Sequence, residues 1–134
     1  MEYAGLKTVC WFLRLLPYRA ARAVGRFSTG LAARFAPKRF KRNLQDIARV
    51  FPEKSPQEVY EIAYNSWRNM GQILAEFVKL SSYSPEEFKK HVQIRGLEKM
   101  QEAEKNKTGG IIHIGHFTNW EAFGLATSVY GIDK

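Results

Sequence analysis

The excess positive charge of this chain is confined to its first part, and large apolar side chains fill the spaces between the charges. Residues 1–50 carry eleven Lys/Arg against two acids, a sum of +9, while residues 51–134 carry ten against eleven, a sum of −1. A segment of that kind is built to meet an anionic surface, either phospholipid head groups or nucleic acid. The rest of the composition bounds the fold. A hydrophobic share of 45% with 13% aromatics excludes a disordered tail, which cannot bury enough to fold. The single Cys10 excludes an intramolecular disulfide and makes a reducing compartment the default. A conventional membrane-spanning helix is not written here, because charges interrupt every long apolar run.

The N-terminal segment reads as membrane-interfacial. Trp11, Phe12, Leu13, Leu15 and Leu16 lie close together, with Lys7 and Arg14 able to extend their charges toward water. No small-residue cleavage site follows, so the stretch is not read as a removed signal peptide. After Pro17 a second helical pattern runs to about Phe35. Ala20, Val24, Phe27, Leu31 and Phe35 share one narrow sector, with Arg19, Arg22 and Arg26 opposite. That layout suits a helix lying in a head-group layer. The alternative is a helix packed on a core with a solvated face. Lys38, Arg39, Lys41 and Arg42 extend the basic cluster.

The middle of the chain is helical. Phe40, Leu44, Ile47 and Val50 recur at helical spacing until Pro52 stops the pattern. Ser55-Pro56-Gln57-Glu58 combines a capping Ser, Pro at the first helical position and Glu at the third. From there Val59, Ile62, Ala63, Trp67, Met70, Ile73, Leu74, Phe77 and Val78 continue one apolar stripe, expected to be core. Ser84-Pro85-Glu86-Glu87 repeats the start signal for a short helix.

From His91 the pattern predicts short strands and turns. Val92 and Ile94 form one strand candidate ended by Gly96, and Ile111–Ile114 form another after the Gly109-Gly110 break. Helices are expected over about 97–106 and from Thr118, whose spacing to Glu121 matches a capping box. Strand, helix, strand, helix is the opening of an α/β layer on a parallel sheet. The chain thus divides into interfacial helices at 1–36, a helical region at 37–90 and the start of an α/β core at 91–134.

His116 is the candidate for chemistry. It follows a strand and a glycine just ahead of a helix, where α/β folds display working groups. On one continuous helix, His116 and Glu121 would lie about 140° apart and could not meet. With His116 in the turn and Glu121 in the first helical turn, the carboxylate can reach back to the imidazole. A histidine steered by a carboxylate is the equipment of a general base that deprotonates a hydroxyl. Glu121 has a competing structural job in the capping box of Thr118, and His116 could be a simple turn histidine. His113 does not join them in a metal site, since residues three apart on a strand point to opposite faces. The Gly109-Gly110 pair lacks the ending of a phosphate loop. No metal or other cofactor is expected.

The run Gly115-His116-Phe117-Thr118-Asn119-Trp120-Glu121 resembles the His-x-x-x-x-Asp/Glu signature of glycerolipid-type acyltransferases. Its form is similar to that of the bacterial lipid A biosynthesis acyltransferases, the lauroyl/myristoyl transferase family. Arg42-Asn43-Leu44, Phe51-Pro52-Glu53, Met70-Gly71 with Glu76, and Gly96-Leu97-Glu98 agree in order and spacing. The resemblance covers residues from about 10 to 126. It implies a glycerolipid-acyltransferase-like sheet behind the helical N-terminal region. It also implies an enzyme on the cytoplasmic face of the inner membrane that moves a fatty acyl group from acyl carrier protein onto a hydroxyl of a lipid A precursor. The family roles, base and orienting acid, transfer to His116 and Glu121. Family members continue with further strands, an acyl-chain pocket and basic residues for the phosphorylated sugar, whereas this chain stops thirteen residues after Glu121. The resemblance therefore implies a fragment or a truncated chain, inactive by itself.

Two other readings compete. One is a non-catalytic membrane-associated module, and the other a basic helical nucleic-acid binder. The second is disfavoured because Arg19, Arg22 and Arg26 share their face with no aromatic on which a base could stack. Acylation of a different glycolipid, such as a mannosylated phosphoinositide, would use the same motif.

Overall fold

A computed structural model describes residues 2–115 and 119–132. Seven helices are present among the described residues: α1 (Glu2–Leu15), α2 (Tyr18–Phe35), α3 (Pro37–Val50), α4 (Pro56–Leu80), α5 (Pro85–His91), α6 (Leu97–Lys105) and α7 (Trp120–Val129). They fall into two compact units, Met1–Glu76 and Phe77–Lys134.

Local chemistry sets the helix ends. At α4 the Ser55 hydroxyl accepts from the Glu58 N–H at 3.3 Å, and Glu58 Oε2 accepts from the Ser55 N–H at 2.9 Å. This reciprocal pair satisfies two donors that the first turn leaves open. The Ser55 bonds and the neighbouring Lys54 charge hold the Glu58 carboxyl below its ordinary range. Ser84 caps α5 in the same way, accepting from the Glu87 N–H at 3.2 Å. Gly96 starts α6 in the left-handed region, at φ 79°, which costs glycine nothing.

In the first unit the packing face of α2 is its small one. Ala21, Gly25, Gly30 and Ala33 are buried, while Val24, Phe27, Leu31 and Phe35 stay exposed, Phe27 at 71% and Phe35 at 79%. The reason is close approach to α4. A Cβ built on Gly25 would run into the Gly71 carbonyl oxygen and lie 2.8 Å from the Ala75 Cβ. One built on Gly71 would meet the Gly25 carbonyl oxygen and the Thr29 side chain. Arg22 flanks this crossing and forms an ion pair with Glu76, Nε to Oε1 at 2.7 Å, with Gln72 donating to the same carboxylate at 3.1 Å. On α4 itself the stripe expected to be core is divided. Val59, Ala63, Ala75 and Leu80 are buried, but Met70, Leu74 and Phe77 are exposed.

The second unit overturns the α/β expectation. No strand and no sheet occurs among the described residues, so the parallel sheet expected from 91 onward is absent there. The physical reason is pairing. Val92 has strand-like torsions, φ −128° and ψ 122°, yet its carbonyl accepts from the Tyr130 hydroxyl at 2.9 Å rather than from a neighbouring strand. No backbone hydrogen bond joins residues 92–94 to 111–114, and Ile111 is 99% exposed. An apolar run supplies strand propensity, but a strand exists only against a partner. What holds this unit is side-chain packing. Phe88 is buried, Tyr83 and His91 stack at 5.1 Å between ring centres, and Lys89 lies over the Tyr130 ring at 5.1 Å.

Candidate functional site

The C-terminal helix α7 carries the candidate site. Its cap is Asn119, whose Oδ1 accepts from the Ala122 N–H at 3.1 Å. The expected capping residue Thr118 lies outside the described residues, and the described start is the Asn119 cap. With Asn119 as cap, the third helical position is Ala122, and Glu121 sits at the second. Glu121 is therefore off the position from which a capping-box carboxylate reaches back. It is half-buried in the first turn. His116, Phe117 and Thr118 lie outside the described residues, and with them the expected meeting of His116 and Glu121.

Behind Glu121 the helix is well anchored. Ala126 and Thr127 are buried, the Thr127 hydroxyl donates to the Gly124 carbonyl at 2.9 Å, and Tyr130 ties the helix end to Val92. Beside this helix lies a cavity of about 430 Å³, with Met100, Ala103, Ile111, Ile112, Thr127 and Ile132 among its walls. Such a lining offers a hydrocarbon chain an apolar wall. His113 is exposed, and no group of three potential metal ligands occurs among the described residues.

The expected membrane-facing residues are placed as follows. Trp11 and Phe12 are exposed on α1, Trp11 at 62%, alongside exposed Tyr3, Leu6, Val9 and Leu15. Arg19 is exposed on α2, and Arg26 is half-buried. Arg22 is engaged with Glu76 and lies over the Tyr18 ring at 5.6 Å. Sequence reasoning missed that ion pair, although Glu76 stood among the landmarks of the resemblance. The signal that could have found it is the four-residue spacing of small residues, Ala21/Gly25 and Gly71/Ala75, flanked by Arg22 and Glu76.

The model of the bacterial lipid A biosynthesis acyltransferase family matches residues 3–131. The chain belongs to this family. The match covers both compact units and spans the Gly115–Glu121 run. Membership makes the chain part of an acyltransferase group of lipid A biosynthesis, and so implies a lipid A acceptor. No curated protein and no solved structure matches the chain. Among the described residues, no helix is long and apolar enough to cross a membrane.

Proposed function

We propose that the protein is a membrane-surface O-acyltransferase that moves a fatty acyl group from a thioester to a hydroxyl of a lipid A precursor. His116 takes the proton of the attacking hydroxyl as the oxygen adds to the thioester carbonyl carbon. The tetrahedral adduct then expels the sulfur, which leaves with that proton as the free thiol. The products are an ester on the sugar and the unloaded carrier, with acyl carrier protein as the donor. Glu121 orients the imidazole and supports its charged form. The observation that carries this reading is the family match across the His116–Glu121 run, supported by the Asn119 cap, which leaves Glu121 at the second helical position of α7.

Glu121→Gln separates the two jobs. Stability should be almost unchanged, whereas Asn119→Ala should cost about 1 kcal/mol through the lost cap. Transfer by Glu121→Gln should fall steeply, because the amide cannot support an imidazolium. Melting curves and transfer rates for both variants give the answer. A Glu121→Gln protein with near-normal transfer would leave His116 without its partner.

The same proposal places the first helices on the cytoplasmic surface of the inner membrane, with Trp11, Phe12 and the Phe27/Leu31 row against lipid and Arg19 and Arg26 toward phosphates. Its test must spare Arg22, since a carboxylate there would face Glu76, which is 8% exposed. Arg19→Gln with Arg26→Gln should weaken sedimentation with anionic vesicles by roughly 1 kcal/mol per charge. Adding Trp11→Gln and Phe12→Gln should weaken it further. Unchanged sedimentation of the fourfold variant would remove the interfacial placement.

A further inference from the structure

Two cavities in the first unit share one wall, and that wall is cationic. The first, of about 380 Å³, lies among the last turn of α2, α3 and α4, with Arg34 and Lys41 at its edge and Phe40, Leu44, Tyr60 and Tyr64 behind. The second, of about 260 Å³, reuses Arg34 and Tyr64 and adds Arg68, Phe27 and Leu31. Gly30 makes room between them. A Cβ there would lie 3.1 Å from the Arg68 side chain and 3.2 Å from the Tyr64 hydroxyl. The aromatic floor is ordered by its own contacts. Tyr60 and Tyr64 stack at 5.9 Å, Phe40 meets Tyr60 edge-on at 5.6 Å, and the Arg68 guanidinium lies over Tyr64 at 5.6 Å.

Neither cavity has an acid in its lining. No carboxylate pairs with Arg34, Lys41 or Arg68 among the described residues, whereas Arg22, Arg42 and Arg49 all have acidic partners. Three such cations around an aromatic floor form a receptor for an anion that carries an apolar body. Arginine presents a planar fork suited to phosphate, and lysine adds a point charge. Phe27 and Leu31 continue the wall onto the exposed apolar row of α2. An occupant with its phosphate at Arg34 thus has a path for its chain along Phe27 and Leu31.

We propose that this double cavity binds one anionic phospholipid of the bilayer, with the phosphodiester held by Arg34, Lys41 and Arg68 and the glycerol and first methylenes lying along Phe27, Leu31 and Tyr64. All the residues of this site belong to the first unit, and none lies on α7. It adds a discrete lipid to the proposed membrane placement and rests on that placement for its biological setting. The test does not rest on it, because a soluble lipid needs no bilayer.

The probe is dihexanoyl-phosphatidylglycerol below its critical micelle concentration, with dihexanoyl-phosphatidylcholine, whose quaternary ammonium offsets its phosphodiester, as the zwitterionic counterpart of zero net charge. A ligand that binds only the folded state raises Tm with its concentration. The phosphatidylglycerol should give a saturable rise, and the phosphatidylcholine none. Arg34→Gln with Lys41→Gln should weaken the interaction on the order of tenfold per cation removed. Lys38→Gln with Arg39→Gln removes the same charge outside both cavities and should leave the rise intact. No rise with phosphatidylglycerol, an equal rise with phosphatidylcholine, or equal losses in the two double variants would each overturn the site. A rise with glucosamine phosphate and none with the short-chain lipid would move the cations to the sugar acceptor, and the bilayer assignment would fall.

Discussion

Replacing His116 by Ala should reduce acyl transfer on the order of 10²–10⁴-fold, the usual contribution of a general base. A sugar hydroxyl with a pKa far above neutrality attacks a thioester slowly unless a group takes its proton as the new bond forms. An imidazole titrating near pH 6.5 is matched to that task at cellular pH. The activity loss should appear without a matching loss of structure. The described cap is the Asn119–Ala122 bond, and α7 is further held by Thr127 on Gly124 and Tyr130 on Val92. Acyl-chain binding should survive as well. Melting curves beside transfer rates separate the cases, and a folded His116→Ala protein turning over at the wild-type rate would remove the base from the mechanism.

The second large effect is structural. Gly25→Ala should destabilise the first unit, although alanine is the better helix former by about 1 kcal/mol. The new methyl group meets the Gly71 carbonyl oxygen, a backbone atom that cannot rotate aside, and approaches Ala75 at 2.8 Å. Overpacking of that kind costs about 1–3 kcal/mol and occasionally more, so the steric effect outweighs the propensity gain. Gly71→Ala should behave alike, since its methyl group meets Gly25 and Thr29 from the other side. Gly5→Ala is the matched control: it lies inside α1 with nothing within 4 Å of its Cβ, and there the propensity gain should stand alone. Denaturant unfolding of the three variants measures the contrast. A Gly25→Ala protein as stable as Gly5→Ala would mean that α2 and α4 do not cross where the two glycines meet.

The helices were legible because their signals are local. Ser55 and Ser84 each name a start within four residues, and the apolar repeats that follow need no partner to be read. What could not be read is what each element packs against. The wheel for α2 found the large apolar row at Val24, Phe27, Leu31 and Phe35, but the packing went to Ala21 and Gly25, because Gly71 and Ala75 let the backbones close in. The strand expectations failed for a related reason. Val92 and Ile111–Ile114 carry strand-forming residues, and only a pairing partner would turn them into a sheet. At the site, capping grammar named Thr118 with Glu121 and did not single out Asn119. Thr118 lies outside the described residues, and the described helix start is the Asn119 bond to the Ala122 N–H. The reading of His116 as base and Glu121 as its support came from the motif and its resemblance, and the helix start at Asn119 is the structural fact that bears on it.

The most direct test of the account is product formation by the protein. The protein is incubated with acyl-loaded acyl carrier protein and lipid A precursor in anionic vesicles, and precursor mass and free thiol are followed together. The account predicts a precursor heavier by one acyl group, an alkali-labile ester, and one thiol released for each ester formed. Thiol release without an acylated precursor, or neither product from a folded protein, would contradict it.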